Sequence, residues 1–207
     1  MTIRLYILCT CLLTLFLTIC NAEDHIQDTQ SQILKLRDDD HYLGNIKAKV
    51  TIVLYSSLSC PGCVSFHENI LPKIKKDYID SGKVLYIFRD YPSNEPALYG
   101  AILANCFNNN YLELIDILFK SQTRWAFRKD FKQMLKNIAR LSGFNSNETN
   151  KCFEDKAFTE KIQIKAYNDM KALNLNQTPT IYINNEFITN IGDYDNYVKI
   201  IDKYLNK

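Results

Sequence analysis

The chain has 207 residues, with 25 Lys and Arg against 23 Asp and Glu for a net charge of +2, and 46% of its side chains are hydrophobic. That near-neutral, mixed balance excludes the dense basic surface of electrostatic nucleic-acid binding. The length suits one domain with a full core.

Residues 1–22 read as an export signal. Arg4 supplies the positive start and residues 5–19 an apolar core too short to span a bilayer. Cys20 and Ala22 are small residues at −3 and −1 for cleavage before Glu23. A lipoprotein attached through Cys20 would want a small residue where Ile19 stands. Losing Arg4 with the signal lowers the net charge from +2 to +1. Cys9, Cys11 and Cys20 leave too, and Cys60, Cys63, Cys106 and Cys152 remain, an even set in an oxidising compartment.

Residues 23–40 form a polar arm in which Ile33, Leu34 and Leu36 are the main apolar points. Asp38-Asp39-Asp40 reads as a solvated run ahead of the domain, and His25 and His41 carry no signal of their own. Residues 50–55 are a continuous apolar run, as expected of a strand buried on both faces. A helix follows from Cys60 with Val64, Phe66, Ile70 and Leu71; Pro72 interrupts it and Ser81-Gly82 ends it. Residues 84–88 are the next buried strand, which completes a βαβ unit with a parallel pair. From about residue 94 to 173 the apolar spacing is helical, over 97–107, 112–119, 131–141 and 158–173, with breaks at 108–110, 142–143 and 145–147. Residues 180–183, an Asn184-Asn185 turn and residues 186–188 then read as a hairpin. A last helix spans 194–205, with Asp193 as its N-cap.

The chemistry concentrates in Cys60-Pro61-Gly62-Cys63, where the first strand meets its helix. A helix's first turn holds both sulfurs within bonding reach, and its free N–H groups stabilise a thiolate on the first cysteine. With a second thiol poised to resolve the adduct, this is a thiol–disulfide exchange centre. Taken alone, the same spacing serves a structural disulfide or half of a zinc site equally well. A four-ligand zinc site would need Cys106 and Cys152 to converge on the pair, so no metal is expected. Thr178-Pro179 opens a strand, where a proline need not donate to the ladder. His67 lies two turns after Cys60 and reads as an ordinary helix residue. Trp125, Tyr91, Phe127 and Phe131 read as core packing rather than an aromatic binding surface.

Several anchors recur in a set order. They are Leu43-Gly44-Asn45, the strand at 50–53, Ser59-Cys60-Pro61-Gly62-Cys63, the run from Tyr91-Pro92 to Cys106-Phe107, Lys151-Cys152-Phe153 and Thr178-Pro179-Thr180. Together they resemble the DsbA-like thioredoxin-fold disulfide oxidoreductases over most of the chain. The resemblance implies an α/β thioredoxin fold over residues 41–207 with a helical subdomain inserted at about 94–173. It implies that Cys60 is the nucleophile and Cys63 the resolving thiol. Pro61, Gly62, Thr178 and a cis Pro179 would line the substrate face. It also implies a structural Cys106–Cys152 disulfide, where the residues alone leave two separate buried thiols open. In two places the chain departs from the family. Gly62 stands where the best-known strong oxidant has a histidine, which implies a weaker oxidant. Leu54 stands where many relatives carry a buried acid that relays protons to the second cysteine.

The function implied is a bacterial, periplasmic, monomeric enzyme that introduces disulfides into reduced or misfolded exported proteins. A membrane thiol oxidase would reoxidise it, and it would need no cofactor beyond the Cys60–Cys63 disulfide and no nucleic acid. Two alternatives stay open. One is a disulfide isomerase or reductase, which the threonine before Pro179 favours, although the short arm supplies no dimerising domain. The other is a non-catalytic thioredoxin-fold binding module with a structural CxxC.

Overall fold

The run Val50–Ser56 is rich in β-branched residues and buried throughout save for the half-buried Thr51, and it forms the central strand of a five-stranded sheet. The structure, a computed structural model, describes residues 29–207. The export signal and His25 lie outside the described residues. The chain divides into two units at Lys35, and residues 29–33 of the first are helical.

In the second unit the strands are β1 (His41–Gly44), β2 (Val50–Ser56), β3 (Val84–Asp90), β4 (Thr180–Ile183) and β5 (Glu186–Phe187), in the order β1-β3-β2-β4-β5. β2 and β3 run parallel with Val50 opposite Val84 and Ser56 opposite Asp90. β4 lies antiparallel on the other side of β2, with Tyr55 opposite Thr180. That register carries the residues just before Cys60 alongside those just after Pro179. β1 pairs antiparallel with β3, with His41 at its start opposite Phe88. The strand is short and alternates half-buried with exposed residues, the weak pattern of an edge. Gly44 ends it at φ +94°, where a Cβ would collide with the Val84 carbonyl oxygen.

The helix after the CxxC, α1 (Pro61–Asn69), gives way at Ile70 to α2 (Leu71–Ile74). Pro72 falls in the first turn of α2, where its missing N–H removes no helical bond. A π-helical turn, Lys75–Ile79, follows, and Gly82 at φ +73° carries the chain into β3.

The helical insertion comprises α3 (Glu95–Cys106), α4 (Tyr111–Lys120), the short α5 (Gln122–Trp125), α6 (Phe131–Leu141), α7 (Ser146–Glu154) and α8 (Lys156–Ala172). The polar stretch 145–147 is less a break than a helix start. The Asn145 side chain accepts from the N–H groups of Asn147 and Glu148 and caps α7. Asp193 likewise caps α9 (Tyr194–Leu205) by accepting from the Asp195 N–H. Ile52, Leu54, Tyr86 and Phe88 from the sheet join Phe66 of α1 and Tyr111, Leu118 and Phe119 of α4 in the core. Full burial of such side chains stabilises by roughly 1.5–3 kcal/mol each. Trp125 is wholly buried and donates its indole N–H to the Leu118 carbonyl at 3.0 Å, whereas Phe127 is 64% exposed. No helix among the described residues is long and apolar enough to cross a membrane.

Candidate active site

Cys60 is the N-cap of α1, with extended backbone angles of φ −88° and ψ 121°, and Pro61 fills the first helical position. Its carbonyl accepts from the N–H groups of Cys63 (3.1 Å) and Val64 (3.3 Å), which closes the first turn. Both cysteines are free thiols, Cys60 partly exposed and Cys63 buried. One turn of helix thus separates a sulfur that a substrate can reach from one that it cannot.

The two thiols differ as sharply in acidity. The Cys60 thiol is lowered to about 5. The main cause is the hydrogen bond from Cys63, which outweighs the upward push of burial; the Thr178 side chain and the N–H groups of Cys63 and Gly62 add to it. Burial drives the Cys63 thiol far upward and its neighbour Cys60 drives it further, while Ser56 and the Ser57 N–H pull the other way. The helix start thus stabilises one negative charge and places it on the exposed sulfur.

The Thr178–Pro179 peptide is cis and faces this pair. The Cys60 thiol donates to the Thr178 carbonyl at 3.2 Å. A Cβ on Gly62 would lie 3.3 Å from Pro179 Cδ and 3.7 Å from Cys60 Sγ, so the missing side chain lets the proline loop sit close over the helix start. Cys60, Pro61, Gly62, Cys63, Thr178 and Pro179 therefore meet in one site. Cys106 and Cys152 form a disulfide with Cα atoms 6.0 Å apart, tying the end of α3 to α7. His67 does not turn to Cys60; it contacts Asp116 at 3.1 Å and packs on Phe119.

Some of the support came from residues that the sequence did not single out. Gln122, buried in α5, donates to the carbonyls of Leu58 (2.8 Å) and Cys60 (3.2 Å) and so binds the insertion to the active-site loop. No sequence signal marked it, since it stands among Lys120, Ser121, Thr123 and Arg124. The hydroxyls of Ser57 and Ser93 share a hydrogen bond at 2.8 Å, and Ser59 Oγ donates to Asn94 Oδ1 at 3.0 Å. Together these fasten the loop before Cys60 to the start of α3.

Beside the site, the Arg89 guanidinium donates to both carboxylate oxygens of Asp40 (3.0 and 2.7 Å) and to the Tyr55 hydroxyl (2.8 Å). Tyr55 donates in turn to Asp169, which also takes a two-pronged contact from Arg37 at 2.9 and 2.8 Å. Asp40 is therefore not part of a solvated run. Its carboxylate is fully buried against a cation 49 residues away, a partner that no local pattern announces. Among the described residues, no group of three or more His, Cys, Asp or Glu side chains is arranged to hold a metal.

Comparison with known proteins agrees with this geometry. A family model described as thioredoxin matches residues 37–203. Disulfide bond formation protein D of Bacillus subtilis is 31% identical over 169 residues, covering 79% of this chain and 76% of that protein. A Rickettsia prowazekii protein, named provisionally as a protein-disulfide oxidoreductase, is 32% identical over 174 residues and 83% of this chain. The chain spans 64% of that relative's own length. Among solved structures, Wolbachia pipientis alpha-DsbA1 superposes with a TM-score of 0.79 at 30% identity, covering 86% of this chain and 96% of that one. Oxidised BdbD of Bacillus subtilis gives 0.73 at 25% identity, covering 82% and 94%. The fold, the cysteine pair at the helix start and these likenesses lead to one assignment: the chain belongs to the DsbA-like branch of the thioredoxin family.

Proposed function

We propose that the protein is an exported thiol–disulfide oxidoreductase that introduces disulfides into folding proteins through Cys60 and Cys63. The observation that carries this reading is the asymmetry of the pair, a reachable Cys60 at the helix start against a buried Cys63 one turn on. A substrate thiolate attacks Cys60 Sγ of the oxidised pair, the Cys60–Cys63 bond breaks, and Cys63 departs with the electron pair. A second substrate thiolate then attacks the substrate sulfur of the mixed disulfide, forms the product disulfide and releases Cys60 as a thiolate. The electrons end on the enzyme's two sulfurs, so no bound cofactor is needed.

A Cys60 thiolate stabilised at neutral pH favours the reduced enzyme, and a stable reduced form makes its disulfide a willing donor. The name of one relative, a disulfide bond formation protein, supports the same direction of work, and that of the other, a protein-disulfide oxidoreductase, supports the exchange chemistry. Export rests on residues 1–22 and would take the chain to the bacterial periplasm, with reduced exported proteins as its clients. A membrane thiol oxidase would restore the disulfide after each turnover.

Reactivation of reduced, unfolded ribonuclease tests the reading. The oxidised protein should restore activity, and Cys60→Ser should abolish that ability. Full activity in Cys60→Ser would remove the mechanism. Rescue of scrambled ribonuclease exceeding plain oxidation would move the assignment to an isomerase. A Cys60 that resists alkylation after mild reduction would leave only a binding module.

A further inference from the structure

Alternate residues of a strand share a face, so Leu54 and Ser56 point the same way from β2. Leu54 packs in the core with Cys63 and offers that face no proton carrier. Ser56 offers a hydroxyl. The residue is 1% exposed, and its Oγ has no hydrogen-bond partner. Buried polar groups in folded proteins are paired, and an orphan calls for a reason. The adjoining backbone already touches the resolving cysteine, because the Ser57 N–H donates to Cys63 Sγ at 3.4 Å. Ser56 faces the same sulfur as a side-chain donor that favours its thiolate, yet beside the resting thiol its Oγ completes no hydrogen bond. The titratable groups facing Cys63 are Cys60 on its own helix and the buried Tyr86 on β3.

We propose that Ser56 is a positioning residue for the exchange reaction, its hydroxyl turning onto the Cys63 sulfur whenever that sulfur carries negative charge. It thereby supplies a hydrogen-bond donor on the face where Leu54 offers none. The inference rests on the exchange reading above. In the resolving step Cys63 gives its proton to water, and its thiolate attacks Cys60 Sγ in a mixed disulfide with a partner. The Cys60–Cys63 bond forms, the bond from Cys60 to the partner breaks, and the partner sulfur leaves with the electron pair as a thiolate. Run in reverse, Cys63 is the leaving group, so one donor serves both directions. The burial that keeps Cys63 from reacting with outside thiols also penalises its thiolate, and a hydroxyl held ready for that charge lowers the penalty.

Stopped-flow reaction of the leaderless, mildly reduced protein with the aromatic disulfide DTNB separates the two roles. Attack by Cys60 releases a first coloured thiolate, and resolution by Cys63 releases a second. In Ser56→Ala the first phase should keep its rate. The second should slow by about tenfold, the worth of one hydrogen bond to a charged group, with its pH midpoint moved upward. Ser56→Thr, which retains the hydroxyl, should keep the second phase, and Ser56→Val, of the same shape without it, should lose it. Should Ser56→Ala fail to fold, the Thr and Val pair decides the same point. A second phase unchanged without the hydroxyl, or two phases slowed alike, would overturn the role of Ser56. Absence of a first phase in the unaltered protein would instead overturn the exchange reading, and this inference with it.

Discussion

Cys63→Ala removes the largest single cause of the acidity of Cys60, the hydrogen bond from the Cys63 thiol. A hydrogen bond to a charged group is worth about 1.5–3 kcal/mol, which raises the midpoint by about one to two pH units. Cys60 should therefore titrate near 5 in the parent protein and clearly higher in the variant, still below an ordinary thiol because Thr178 and the helix N–H groups remain. The assay is the rate of iodoacetamide alkylation against pH, cross-checked by thiolate absorbance at 240 nm. A parent midpoint near the ordinary value of about 8.5 would refute the helix-start argument, and a variant midpoint still near 5 would refute the part assigned to Cys63.

The same lowered acidity links stability to pH. Cys60 is an acid whose folded value lies below its unfolded one, so its contribution is complete above about 9 and is lost as pH falls through about 5. The full four-unit difference would correspond to about 5 kcal/mol, and solvent screening at this part-exposed sulfur reduces it to roughly 2–3 kcal/mol. Urea unfolding should therefore show the reduced protein gaining that much on the oxidised one between pH 5 and pH 9.

Three further changes probe the scaffold. Asp40→Ala leaves the Arg89 guanidinium buried without its main counter-charge and should cost about 3–5 kcal/mol in urea unfolding, far more than a surface aspartate would. Gln122→Ala strips the Leu58 and Cys60 carbonyls of a donor. It should cost about 1–3 kcal/mol and speed amide exchange in the loop before Cys60. Cys106→Ser opens a bond across 46 residues of sequence and should lower stability by roughly 4 kcal/mol, measured against the parent with the disulfide intact.

The architecture was legible because its strongest signals are local. Residues 50–55 and 84–88 are too uniformly apolar to be anything but buried strands, and Asp193 announces a helix start by itself. The cysteine pair was legible for the same reason, since strand, CxxC and helix are contiguous. What escaped depends on distant partners. β1 is four residues long and takes its place only through pairing with β3. Asp40 looks solvated until Arg89 is brought to it, and Gln122 looks like loop until the insertion folds over the residues before Cys60. Gly62 read as a missing charge, and the structure adds a steric reason, the close approach of Pro179. The hydroxyl of Ser56 had no sequence signal, because its meaning lies in an unfilled hydrogen bond beside Cys63.

The reduction potential of the Cys60–Cys63 pair, obtained by equilibrating the leaderless protein with glutathione buffers, tests the central claim most directly. A donor of disulfides with so acidic a nucleophile should lie well above about −200 mV, and with Gly62 in place of a histidine it should fall short of the strongest oxidant of the fold, near about −120 mV. A value at or below about −270 mV, where thioredoxin itself works as a reductant, would contradict it.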